Sequence, residues 1–281
     1  IDRAASLTTV HDGAIYQVEG ETWIVERFDH KNRRAYVRKV DTDYFTEAEV
    51  DTEVRVLRLE ERWMRNRSAP ARGPSSSASS RSESVEDVSV WRGEVHVTKL
   101  ATQYKKIRYY TRENVGAEDI HLPPEEIDTD TFVLTISDET AADLRLSAGD
   151  RGAAWHGVAG LLRRVAPLFL RCQPCDLGVS AQVRSPHFRR PAIFLYDSVR
   201  GGVGLSDLLF QGHRALFAAA LDVVAHCACE RGCPGCVGPP EEVGSLGKET
   251  AQAVLAHLVA GAELCAGSVG LGTLQQEAGA R

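Results

Sequence analysis

The ten residues Cys227-Ala228-Cys229-Glu230-Arg231-Gly232-Cys233-Pro234-Gly235-Cys236 crowd four cysteines into a C-x-C-x3-C-x2-C array between two helical stretches. No other part of the chain restricts the fold as strongly. Alternate residues of an extended segment project to the same side, so Cys227 and Cys229 can aim two sulfurs at one point. Cys233-Pro-Gly-Cys236 has the spacing of a knuckle, whose tight turn brings two more sulfurs to that point. Four thiolates saturate a tetrahedral Zn2+ and leave no open position, so the spacing predicts a structural metal and not a catalytic one. An iron–sulfur cluster and a set of redox thiols are the alternatives that the same residues allow. His226, next to the first cysteine, is an alternative ligand or a bystander at a helix end.

Seven cysteines, an odd number with four of them clustered, fit a reducing compartment better than a disulfide framework. No apolar run approaches the roughly 18 residues of a membrane span, and the start of the chain has neither the basic nor the apolar part of a signal peptide. A cytoplasmic location with no membrane partner is the expectation. The first residue is Ile1 and not Met, which suggests a piece of a longer chain. A net charge of −6 argues against a free-standing nucleic-acid coat, because phosphate affinity comes from Lys and Arg. The basic residues nevertheless gather at 27–39, 99–112 and 184–190, while 113–150 is largely acidic. Each basic run is by itself a solvated face, but three runs on separate segments can line one surface.

In chain order, residues 14–18 and 22–26 alternate as a hairpin around Glu19-Gly20, and 35–40 forms a third strand. Glu53-Val54-Arg55-Val56 alternates cleanly, and the phase slips at Leu57 and Leu59 as it would at a bulge. Between about 65 and 87 the composition collapses to Ser, Ala, Pro, Gly and Arg, which predicts a disordered loop inserted in the β-region. Strand patterns resume at 88–90, 94–98 and 106–109, and 131–136 is a buried-strand candidate. From Trp155 apolar residues recur at helical spacing through Val158, Leu161, Leu162, Val165, Leu168 and Phe169, and Pro167 must kink or end that helix. A second apolar strand at 192–196 passes through Gly201-Gly202-Val203-Gly204 into a helix striped by Leu205, Leu208, Leu209, Leu216, Ala220 and Val224. A third helix starts near Lys248, and the residues from Ala266 read as a frayed tail.

Three further constellations bear weighing. The strand–glycine–helix passage at 196–206 can cradle an anion, but it matches neither nucleotide-loop pattern, and a tight turn that needs positive φ explains it as well. Cys172-Gln173-Pro174-Cys175 has metal or redox spacing without a second pair nearby, so two buried reduced thiols are the simpler reading. His156, Asp176 and Asp197 lie near element ends and would make an acid/base or metal site only if they met; otherwise they are helix-end and capping groups.

The run Ile193-Phe194-Leu195-Tyr196-Asp197-Ser198-Val199-Arg200-Gly201-Gly202-Val203-Gly204-Leu205-Ser206, followed by the four cysteines, resembles a known family. It looks like the C-terminal zinc-binding domain of DEAD/DEAH-box DNA repair helicases of the mitomycin repair factor A type. Residues 13–23, 40–46 and 93–98 are similar to the segment that joins the motor to that domain, so the resemblance covers most of 10–262. It implies Cys227, Cys229, Cys233 and Cys236 as ligands of a structural Zn2+. It also implies two ATP-hydrolysing lobes that move 3′ to 5′ on DNA, and a role in removing mitomycin-type damage. This sequence departs from the family in lacking the motor motifs, in having Arg200 where Pro is usual, and in the Ser-rich stretch at 68–84. ATP would therefore be a cofactor only of a motor region outside these residues.

The expected fold class is α+β: a small antiparallel β-sheet or partial barrel, followed by an α/β region with a structural four-cysteine zinc site. The expected division is 1–112 β-rich, 113–265 zinc-binding and 266–281 tail. The expected function is an accessory domain that binds or guides DNA, most simply a single strand, for a helicase motor in cis or in trans. Arg33, Arg34, Lys105, Lys106, Arg189 and Arg190 are the candidate phosphate contacts. The alternative is a stand-alone zinc subunit docking on a separate helicase, as in defence against foreign DNA. A hydrolase built on His156, Asp176 and Asp197 is a third class, without a recognisable nucleophile.

Overall fold

The computed structural model describes residues 1, 3–67, 85–146 and 150–260. Most of the Ser-rich stretch read as a disordered loop, the tail from Ala266 and Cys265 lie outside those residues. A short helix α1 (Arg3–Thr9) precedes strands β1 (Ile15–Val18), β2 (Glu21–Asp29) and β3 (Arg34–Lys39), which form an open three-stranded antiparallel sheet in that order. The expected hairpin is present: Glu19 and Gly20, with φ of 53° and 80°, connect Val18 to Glu21. Positive φ at both central positions gives a turn whose twist suits the flanking strands.

Strands β4 (Tyr44–Arg67) and β5 (Val85–Arg108), each of 24 residues, pair antiparallel along their length. The separate strands expected at 53–56, 88–90, 94–98 and 106–109 are thus parts of one ribbon, which also reaches into both margins of the stretch read as a loop. Its register shifts at Val56/Arg58 and Leu59/Glu61, where the hydrophobic alternation slips. The far edge of β5 pairs with β6 (Asn114–Asp119) near one end and β7 (Glu125–Ile136) near the other. Strands β8 (Leu177–Gln182) and β9 (Ala192–Asp197) complete the sheet in the order β4-β5-β7-β9-β8, all antiparallel.

Period-two alternation divides the sheet's core between its faces. Phe132, Leu134, Ile136, Ile193 and Leu195 face the main core, where helices α3 (Asp150–Leu170), α4 (Leu205–His226) and α6 (Gly247–Ala260) bury Trp155, Leu162, Phe217 and Leu255. Val95, Val97, Val133, Phe194 and Tyr196 form a smaller cluster on the other face, with Trp91 and Phe188 against it. Two short helices, α2 (Asp138–Asp143) and α5 (Pro240–Val243), flank the bundle. The α+β class is as expected, with the helices layered on one face of an antiparallel sheet.

Pro167 does not end α3 at once: the helix runs to Leu170, and Arg171 N–H donates to Pro167 O at 2.8 Å. That extra turn carries Leu168 and Phe169 past the edge of the core, leaving them 79% and 48% exposed. Helix α4 is, contrary to the sequence expectation, long and apolar enough to cross a membrane by composition alone. Its Leu209, Leu216, Phe217, Ala220 and Val224 are instead buried against the sheet and the other helices, while Leu208 points outward.

Candidate metal centre

The apolar stripe of α4 fixes where the cysteines begin. The helix ends at His226, and Cys227 is its first extended residue, with φ −70° and ψ 128°. Cys227 and Cys229 then follow each other on one side, and the Pro234-Gly235 turn closes with the Cys236 N–H donating to Cys233 O at 3.0 Å. The four sulfurs converge with Sγ–Sγ distances of 3.5 Å (227–229), 3.6 Å (227–233), 3.5 Å (229–236) and 3.7 Å (233–236). A Zn2+ bonded to four sulfurs at about 2.3 Å needs tetrahedron edges of about 3.8 Å. The cluster therefore fits the ion with little rearrangement. It is the one group of three or more His, Cys, Asp or Glu ligand atoms gathered this closely among the described residues. His226 stays outside it, exposed, with Nδ1 3.0 Å from Asp222 O.

Two cations hold this loop. Lys248, in the first turn of α6, donates through Nζ to Cys227 O at 2.6 Å and also to Cys229 O. Arg164 of α3 donates from its two terminal nitrogens to Pro234 O and Cys236 O. Each knuckle is thus tied to a different helix, and a Zn2+ with four thiolates, which is anionic overall, would have two positive groups bonded to the loop that holds it. Without metal the thiols are unequal. The Cys229 backbone N–H leads in drawing the Cys227 thiol down to about 7, while burial leads in pushing Cys229 up to about 12. A metal that takes all four sulfurs must displace the remaining protons, so its affinity rises with pH.

The glycine run at the opposite end of α4 is a tight turn filled by the chain itself. Gly201, Gly202 and Gly204 have φ of 80°, 70° and 85°. The Asp197 carboxylate accepts from Val203 N (2.7 Å), Leu205 N (3.2 Å), Ser206 N (3.1 Å) and Ser206 Oγ (2.7 Å). The anion at the start of α4 is therefore Asp197, whose carboxylate takes the Val203, Leu205 and Ser206 N–H groups that a phosphate would need. Arg200 spans outward and donates to Glu126 O at 2.7 Å, which ties the turn to β7.

The other sequence candidates do not gather their side chains into one cluster, although Asp176 O accepts from Ser198 N at 2.8 Å next to Asp197. His156 is exposed on α3, Asp176 accepts from Gln173 N at 2.7 Å, and Asp197 is buried, so the three do not form one site. Cys172 is half-buried and its thiol is pushed up by burial, whereas Cys175 is exposed, which corrects the reading of two buried thiols. Among the basic candidates, Lys105 pairs with Glu49, Lys106 with Glu118 and Arg190 with Glu86. Arg33, Arg34 and Arg189 are exposed, and no ion pair within 4.0 Å engages them among the described residues. Arg33, with φ of 55°, also lines a cavity of about 550 Å3 between α1 and the β2–β3 turn, with Val10, Phe28, His30, Lys31 and Ala35.

Sequence reading missed Arg164 and Lys248, and a buried carboxylate, Asp87. Lys248 lies at the start of a predicted helix, but its partners are 19 and 21 residues away, and those of Arg164 are 70 and 72 away. Asp87 accepts from Arg65 Nη2 at 2.7 Å and Thr140 Oγ1 at 2.5 Å, and sits 3.0 Å from His257 Nε2. Arg65 and Asp87 are the two ends of the stretch read as a loop.

Comparison with known proteins agrees with this geometry. The family described as the MrfA Zn-binding domain matches residues 158–237. A Bacillus subtilis protein, the uncharacterized ATP-dependent helicase YprA, is 33% identical over 238 residues, which is 85% of this chain and 29% of that protein. A crystal structure of the DUF1998 helicase MrfA bound to DNA superposes with a TM-score of 0.59 at 32% identity, covering 92% of this chain and 31% of that one. An uncharacterized protein of Methanocaldococcus jannaschii is 28% identical over 85 residues, 29% of this chain but 76% of its own length. The chain thus spans less than a third of the helicases it matches. Within it, residues 158–237 match the MrfA Zn-binding domain family, and the chain is homologous to less than a third of the MrfA and YprA helicases.

Proposed function

We propose that this chain is the zinc-stabilised accessory region of an ATP-dependent DNA helicase acting in DNA damage repair, and that it binds and guides one DNA strand while motor lobes supply the energy. Cys227, Cys229, Cys233 and Cys236 hold a structural Zn2+, and the metal takes no part in hydrolysis or transfer. The observation that carries this reading is the close four-sulfur cluster, set within a stretch that superposes on a helicase crystallised with DNA. Four thiolates committed to a metal suit a reducing, cytoplasmic location. Arg33, Arg34 and Arg189 are the phosphate contacts of choice, because Lys105, Lys106 and Arg190 already serve carboxylates.

The test joins metal analysis to binding of a labelled single strand at several salt concentrations. One equivalent of zinc is expected, lost in Cys233→Ser. Arg33→Glu with Arg34→Glu and Arg189→Glu is expected to weaken binding and to lower the salt slope by about 0.7 per lost contact. A chain that holds zinc but shows no salt-dependent DNA affinity would overturn the strand-guiding role. One observation favours a second reading, a stand-alone subunit that docks on a helicase in trans: the Methanocaldococcus protein is largely made of a segment like this one. Zinc without DNA affinity, together with association with separate motor lobes, would select it.

A further inference from the structure

We propose that the outward face of the β2–β3 hairpin is a stacking platform for a base of single-stranded nucleic acid, with Tyr36 as the ring and Arg27 and Arg34 beside the backbone phosphates. This rests on the DNA-binding reading above and adds the contact that would distinguish a single strand from a duplex. Strand β3 is the edge of its sheet, and all six of its residues are exposed. Arg34, Tyr36 and Arg38 alternate along it and so share one face. On β2, Arg27 stands opposite Tyr36, with its guanidinium carbon 4.8 Å from the ring centroid. Tyr36 is 47% exposed, the Arg27 side chain 64%, and the ring belongs to none of the apolar clusters of the described residues. The protein's own core does not use this aromatic.

Charge identifies what would. The segment from Arg27 to Lys39 holds six Lys and Arg against one Asp, in a chain whose net charge is −6. Glu26 holds Arg38 at 2.7 Å and Glu21 holds Lys39 at 2.5 Å. The one Asp, Asp29, is bound by Asn32 through N at 3.0 Å and Nδ2 at 2.9 Å, with Arg27 3.8 Å away. Arg34 faces it across the strand pair, while Lys31 and Arg33 crown the turn. A flat ring preset by a guanidinium, with surplus cations on one side, suits a polyanion that carries π-faces. An acidic peptide would engage the cations alone. A duplex buries its base faces by stacking, so the ring gains nothing from it. Stacking on one aromatic contributes about fivefold to a hundredfold in affinity per base and tolerates any base.

The experiment titrates the chain with a fluorescent oligothymidylate and with one that carries a 2-aminopurine reporter, across a salt series. Tyr36→Ala is expected to weaken binding about fivefold to a hundredfold, to abolish quenching of the reporter, and to leave the salt slope unchanged, because no phosphate contact is lost. Tyr36→Phe keeps the ring and is expected to restore both. Arg34→Gln is expected to reduce the slope by about 0.7. If Tyr36→Ala binds like the parent while the arginine variants still lower the slope, the platform is wrong and the DNA reading stands. An equal loss of duplex affinity in Tyr36→Ala would also overturn the platform. No salt-dependent binding by the parent would remove both. Tyr36 is solvent-exposed, so these variants should fold, and matched unfolding midpoints check that they do.

Discussion

Asp197 has no exposed surface, yet both of its oxygens are engaged: Oδ2 by Val203 N and Leu205 N, Oδ1 by Ser206 N and Ser206 Oγ. The positive φ at Gly201, Gly202 and Gly204 lets the backbone curl around that carboxylate. Gly202 is further confined, because a Cβ there would come 2.1 Å from Asp130 Oδ2. Asn at 197 would match the size of Asp but set an NH2 against donors on one side. Asp197→Asn is therefore expected to destabilise the fold by about 2–4 kcal/mol, since buried N–H groups left without an acceptor cost about 1–3 kcal/mol each. Urea unfolding measures this, and an unchanged midpoint would mean that the turn does not depend on the carboxylate. The motif was visible in the sequence, whereas its content was not. Glycine spacing reveals a turn that needs positive φ, but whether an external anion or an internal carboxylate fills it depends on the position of Asp197 in three dimensions.

Elements were legible where their pattern is local and hidden where a neighbour overrides it. The β1–β2 hairpin and the slips near Leu57 and Leu59 follow from alternation along the chain, and the paired strands repeat both. Strand β8, Leu-Gly-Val-Ser-Ala-Gln, gives a weak signal because Gly178 opposes Tyr196, and a Cβ at 178 would lie 2.1 Å from that ring. The residue that weakens the strand pattern is the one that makes room for its partner. The four-cysteine loop shows the same division. Its sulfurs are set by short-range spacing, but its attachment to α3 and α6 runs through Arg164 and Lys248, which spacing cannot reveal. Lys248→Met is expected to retain the fold and one zinc while weakening zinc affinity about 10–100-fold, the usual effect of removing a group that orients metal ligands. Competition with a chromogenic chelator reads this directly, and release as slow as in the parent would leave the lysine a helix-packing role only. Arg164→Leu tests the second knuckle in the same way.

At the scale of the whole molecule, one buried ion pair joins parts that the chain separates widely. Asp87 at the start of β5 meets Arg65 near the end of β4, Thr140 of α2 and His257 of α6, and Arg65 reaches on to Leu258 O at 3.2 Å. The ribbon is thereby locked to the last helix of the bundle that carries the cysteine loop. Burial alone would push the Asp87 carboxyl up, but the bonds from His257, Thr140 and Arg65 outweigh it and hold it well below the usual carboxylate range. A carboxyl depressed on folding contributes stability that is present above its unfolded value, about 3.9, and is lost as pH falls from there through the folded value. Asp87→Asn leaves Arg65, whose side chain is 15% exposed, without its counter-charge. The expected loss at neutral pH is about 3–5 kcal/mol, as for other buried pairs broken on one side. Zinc is also released in acid, so the absolute stability of either protein below pH 4 mixes two effects. The difference between parent and Asp87→Asn isolates one of them, because both carry the same four cysteines. That difference is expected to shrink as pH falls below the unfolded carboxyl value of about 3.9. A gap that stays constant into strong acid would show that Asp87 acts through its shape and hydrogen bonds, with no contribution from its charge.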